Sequence, residues 1–84
     1  MSDDLTVTVL VFSSLRQRLG ADRCVVRVPR DAGAGQLWPL LPEAIRRPTA
    51  PPGARYAIND VWATDAAPLA DGDRVALILP VSGG

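Results

Sequence analysis

Pro68-Leu69-Ala70-Asp71-Gly72-Asp73-Arg74-Val75-Ala76-Leu77-Ile78-Leu79-Pro80-Val81-Ser82-Gly83-Gly84 closes the sequence, and its reading decides the rest. Asp71-Gly72-Asp73 places a glycine between two carboxylates that accept turn hydrogen bonds. The apolar run at 75–79 that follows reads as a strand. Pro80 then stops ladder pairing, since it has no N–H and a fixed φ. Residues 80–84 are left as a stalk that reaches about 16 Å when extended. Gly83 and Gly84 make its tip the slimmest backbone a chain can thread into a cleft, at an entropic cost that folding does not require. The expectation is a flexible tail of Pro80, Val81, Ser82, Gly83 and Gly84 on a rigid strand, with the terminal carboxylate of Gly84 as the working group. Two terminal glycines alone fit a frayed end better than a working tail; the abrupt strand end at a proline and the short stalk after it raise the functional reading.

Upstream, Leu5-Thr6-Val7-Thr8-Val9-Leu10-Val11-Phe12 is β-branched and alternating, a strand with Leu5, Val7, Val9 and Val11 on one face. Ser13 reads as a cap. Leu15 and Leu19, four apart, with Gly20 just beyond, predict a short helix with a glycine stop. A second strand follows at 23–28, with Cys24, Val26 and Val28 on one face, so Cys24 reads as a small buried hydrophobe. Apolar residues at 37, 40, 41, 44 and 45 have helical spacing, but Pro39 and Pro42 each remove a backbone donor, and the helix is expected to be kinked or split. Residues 46–53 hold too many breakers for regular structure. Asn59-Asp60 then joins 55–58 to 61–63 as a tight hairpin.

Composition narrows the function classes. At 84 residues the chain is one domain, 1–84, and a chain this small buries only about 60–65% of the surface its unfolded form exposes. A large internal active site does not fit. Nine arginines balance nine acidic residues, with no lysine and no histidine, so nucleic-acid binding has no support. The usual general base near neutral pH is missing. The single cysteine excludes an internal disulfide and a cysteine-rich metal site, so no metal is expected. Met1-Ser2-Asp3-Asp4 is acidic where a secretory signal is basic, and no apolar stretch nears the ~20 residues that span a bilayer. The expectation is a soluble cytoplasmic protein that does not catalyse alone.

The order strand, helix, strand, helix, two short strands, Leu-x-Asp-Gly-Asp, strand, Gly-Gly resembles the β-grasp, ubiquitin-like sulfur carriers of the MoaD/ThiS family. The specific pieces are Val9-Leu10-Val11-Phe12-Ser13-Ser14-Leu15-Arg16, Ala57-Ile58-Asn59, Pro68-Leu69-Ala70-Asp71-Gly72-Asp73-Arg74-Val75 and Leu79-Pro80-Val81-Ser82-Gly83-Gly84. The Phe-x-x-Leu-Arg helix start and Pro80 make it most similar to the molybdopterin synthase small subunits within that family. The resemblance implies an α+β fold, a single β-grasp domain with a mixed sheet of about five strands packed against a helix. It also implies that a ubiquitin-activating-type enzyme uses ATP to adenylate the carboxylate of Gly84, which is then converted to a thiocarboxylate. No cofactor is held by the chain itself. The implied partners are that adenylating enzyme and the large subunit of molybdopterin synthase, in a hetero-oligomer in which the sulfur passes to cyclic pyranopterin monophosphate and the large subunit supplies the catalytic side chains.

The family docks through an apolar sheet face, whose positions correspond here to Leu10, Phe12, Trp62 and Ile78. Alternation agrees independently: if Val7, Val9 and Val11 point inward, Leu10 and Phe12 point outward, and Ile78 is opposite in parity to Leu77 and Leu79. Scattered surface hydrophobes are the plain alternative. The chain departs from the family at Pro39 and Pro42 inside the second helix, at Ile78 where an aromatic is common, and at Ala34 where a capping Thr is common. Two further readings stay open: a carrier for another sulfur pathway (thiamine, cysteine or tRNA thiolation) and a non-covalent β-grasp binding module with an idle tail.

Overall fold

The computed structural model describes residues 3–80. Tail residues Val81, Ser82, Gly83 and Gly84 lie outside the described residues.

Among the described residues five strands form one mixed sheet: β1 (Leu5–Val11), β2 (Arg23–Val28), β3 (Arg55–Ile58), β4 (Val61–Ala63) and β5 (Arg74–Ile78), in the order β2-β1-β5-β3-β4. The central pair β1 and β5 is parallel; every other pairing is antiparallel. The alternation in β1 becomes a two-faced surface, with Leu5, Val7, Val9 and Val11 all buried and the residues between them open or half-open. Val26 and Val28 from β2, Val75 and Leu77 from β5, and Tyr56 from β3 complete the same inner layer. Burying each such aliphatic side chain stabilises the fold by roughly 1.5–3 kcal/mol before chain entropy is counted.

α1 (Ser13–Leu19) lies between β1 and β2 and buries Leu15. Gly20 ends it in the left-handed conformation, φ +77°, as the glycine stop implied. Ser13 does not cap: Phe12 occupies the N-cap position without a side-chain hydrogen bond, and Ser13 opens the helix at φ +49°. Cys24 is half-buried against the core, less enclosed than expected, and burial pushes its thiol pKa up.

The expected helix over 36–45 is instead a short 3-10 helix, Ala34–Leu40, followed by turns. Pro39 sits inside it, and the two prolines withhold the donors an α-helix needs. A tighter repeat of three residues per turn changes which side chains face the sheet. Leu37, Trp38, Leu41 and Ile45 are buried, while Leu40 and Ala44 are exposed. Trp38 thus replaces Leu40 in the core. No capping side chain is needed at Ala34, because the 65–67 backbone does that job: Ala34 N–H donates to the Ala67 carbonyl at 3.0 Å and Gly35 N–H to that of Asp65 at 2.8 Å. A Cβ at Gly35 would stand 2.9 Å from Asp65 Cβ, so this close approach requires glycine.

The two predicted turns form. Asn59 and Asp60 both take positive φ, +51° and +72°, the type I′ pattern that matches hairpin twist. Asp71-Gly72-Asp73 stitches β1 to the entry of β5. The Asp71 carboxylate accepts the Thr6 N–H at 2.7 Å, and the Thr6 carbonyl accepts the Gly72 N–H at the same distance. Asp73 accepts from the Asn59 side chain at 2.9 Å and from the Ala70 N–H at 2.8 Å.

Candidate functional site

The outer face of the sheet is built by register. Leu10 on β1 lies opposite Ala76 on β5, Ala76 opposite Ala57 on β3, and Ala57 opposite Trp62 on β4. Directly paired residues share a face, so one row runs Leu10, Ala76, Ala57, Trp62 across four strands. Ile78, two residues after Ala76, shares that face, and Phe12 continues β1 in extended geometry. Phe12 is 48% and Trp62 65% exposed, with Leu10 and Ile78 half-buried. The structure therefore brings together the four residues singled out from the sequence. Ala57 and Ala76 between them were missed; their short side chains leave a shallow floor flanked by larger apolar groups.

Arginines frame this floor. The outward positions of the strands hold Arg23, Arg27, Arg55 and Arg74 and no carboxylate, as the pairings Leu10 with Arg23, Thr6 with Arg27, Thr8 with Arg74 and Ile78 with Arg55 establish. Arg23 reaches Asp22 at 3.2 Å, Arg74 reaches Asp60 at 3.3 Å and Arg27 reaches Asp4 at 3.9 Å. These pairs are exposed and contribute little to stability. The hydrogen bond from Arg23, with its positive charge, holds the Asp22 carboxyl below the usual carboxylate range. A strand by strand reading of arginine positions could have found the frame, but only with the register in hand.

β5 leads from this face to the tail. Ile78 is its last ladder residue, paired with Arg55; Leu79 packs half-buried against the core, and Pro80 is exposed. Pairing thus ends two residues before the proline. Among the described residues no cluster of His, Cys, Asp or Glu could hold a metal ion, and no buried side-chain polar atom lacks a partner. Two open clefts of about 590 Å³ each lie at the 3-10 helix around Gln36 and Pro39 and at α1 around Arg16 and Gln17. Neither includes a residue of the apolar row. Among the described residues no helix is long and apolar enough to cross a membrane. The outer face thus presents a row of apolar side chains across four strands, and β5 makes its last ladder pair at Ile78 on that face.

A model described as the ThiS family matches residues 9–84. No curated protein sequence matches the chain. Solved structures share the fold at low identity. SAMP1 from Haloferax volcanii is 23% identical, with 94% of this chain and 99% of that one covered and a TM-score of 0.67. The HVO 2177 protein from the same organism is 21% identical over 98% and 89% of the two chains, with a TM-score of 0.70. A Pyrococcus furiosus protein described as a candidate molybdopterin converting factor, subunit 1, is 21% identical over 92% and 99%, with a TM-score of 0.65. These likenesses show the β-grasp, ubiquitin-like fold.

Proposed function

The chain belongs to the ThiS family, and we propose that within it this protein is the sulfur-carrying small subunit of molybdopterin synthase. The observation that carries the reading is extent: the family match spans residues 9–84, from within β1 to Gly84, a range that includes β5, Pro80 and the Gly-Gly tip. A bare carboxylate is a poor electrophile, so sulfur enters only after activation. In the proposed sequence, the Gly84 carboxylate attacks the α-phosphate of ATP in the adenylating enzyme, forming an acyl-adenylate and releasing pyrophosphate. Sulfide-level sulfur then attacks the acyl carbon, AMP leaves, and a thiocarboxylate remains. Its sulfur is delivered inside the large subunit to cyclic pyranopterin monophosphate. The apolar row and its arginine frame dock the folded body while the tail reaches the partner's active site.

The test is intact mass. Coexpression with the activating enzyme is expected to yield a species heavier by roughly 16 Da, one oxygen replaced by sulfur, and deletion of Gly84 abolishes it. A wild-type chain that never gains this mass defeats the reading.

A carrier for a different sulfur pathway is favoured by the description of the matching family itself. Deleting the gene discriminates: loss of molybdoenzyme activity supports the first reading, and a requirement for thiamine supports the second.

A further inference from the structure

Pro51-Pro52-Gly53-Ala54 is a hydrogen-bonded turn, with the Ala54 N–H donating to the Pro51 carbonyl at 3.2 Å and Gly53 at φ +78°. Proline at the second position and a positive φ at the third are the type II arrangement. The turn immediately precedes β3, whose first residue Arg55 pairs with Ile78, the last residue of β5. It therefore stands beside the root of the tail. A Cβ built on Gly53 would lie 3.0 Å from Pro80 Cγ, 3.5 Å from Cδ and 3.6 Å from Cβ. The φ favours glycine, and a Cβ there would press on the Pro80 ring, which would have to give by a few tenths of an ångström.

Three successive residues are thus placed: Ile78 in the ladder, Leu79 against the core, and Pro80 with its exposed ring over the open face of Gly53. Pro80 is the last of the described residues, and its own φ is fixed by its ring. A shift there swings everything beyond it. We infer that Gly53 is a positioning residue: the 51–54 turn is a shelf that seats Pro80 and sets the direction in which the tail leaves the sheet. This rests on the proposed carrier function, because direction matters only if the tip must enter a partner's cleft. Misplacing a reacting group by about 1 Å can cost on the order of 100-fold in rate.

The inference separates shelf contact from backbone strain. Gly20 has φ +77°, and a Cβ there meets nothing within 4 Å, so Gly20→Ala carries the same conformational penalty without the contact. Both variants are expected to lose thermal stability, Gly53→Ala by at least as much as Gly20→Ala. Gly53→Ala alone is expected to lower the turnover of tail adenylation by about ten-fold or more, with KM for the carrier within about two-fold because the docking face is untouched. In a Pro80→Ala background, which removes the ring Cγ and Cδ, adding Gly53→Ala has no further effect on turnover. Amide NMR of the free protein gives a second readout: Gly53→Ala shifts resonances of residues 79 to 82, and Gly20→Ala leaves them in place. Gly53→Ala turning over like Gly20→Ala, losing the same factor with Pro80→Ala present, or leaving the tail resonances unmoved each overturns the inference. If the wild-type chain acquires no sulfur, the carrier reading fails, while the NMR comparison still decides whether Gly53 directs the tail.

Discussion

Trp38 donates its indole N–H to the Tyr56 hydroxyl at 3.0 Å, a hydrogen bond in the buried layer between the 3-10 helix and β3. It joins a helix too short and proline-broken to hold itself to the sheet that it covers. Both residues are almost wholly buried, so each polar atom depends on the other.

Tyr56→Phe keeps the ring and strands the indole N–H. Leaving a buried donor unsatisfied costs about 1–3 kcal/mol, so the urea midpoint is expected to fall with an unchanged m-value. An unaltered midpoint would show that water or another acceptor replaces the hydroxyl.

Trp62→Asp tests the outer face. Trp62 is 65% exposed, and its removal leaves the core intact, so circular dichroism and melting are expected to match wild type closely. Affinity for the large subunit is expected to fall by about 2 kcal/mol or more, roughly 30-fold. Unchanged affinity refutes the surface assignment.

Cys24 gives a pH dependence with a definite sign. Its folded-state pKa is raised by burial, so the fold disfavours the thiolate. Its contribution to stability is fully present below the unfolded thiol pKa and is lost as pH rises through the higher folded value. Stability is thus expected to sag on the alkaline side, and Cys24→Ala should remove that sag. Alkylation of the native thiol is expected to be slower than in urea at the same pH. Equal rates would show that the thiol is not shielded.

Strand content was legible in the chain because local chemistry and tertiary environment agree there. Alternation in β1 and β2 matches one buried face, Asn59-Asp60 can take the positive φ values of a tight hairpin, and Gly20 stops α1. The second helix was misread in its facing residues. A 3.6-residue period selects Leu40, whereas the proline-restricted 3-10 repeat turns Trp38 inward to meet Tyr56, a partner 18 residues away. Ser13 was misread because an N-cap depends on where β1 releases the chain.

Of the candidate site, the large apolar positions follow from parity alone, since Leu10 must oppose Val9 and Ile78 must oppose Leu77. The alanine floor and arginine frame needed the register, because β1 meets β5 only across 65 intervening residues, between Leu10 and its partner Ala76. So does Gly53 beneath Pro80. Sequence by itself determined which local shapes the backbone can take, through β-branching, proline and positive-φ turns. Only the tertiary structure decided which distant segments touch, because pairing and ring contacts between residues far apart in the chain are set by how the whole inner face is buried, and no local period encodes that.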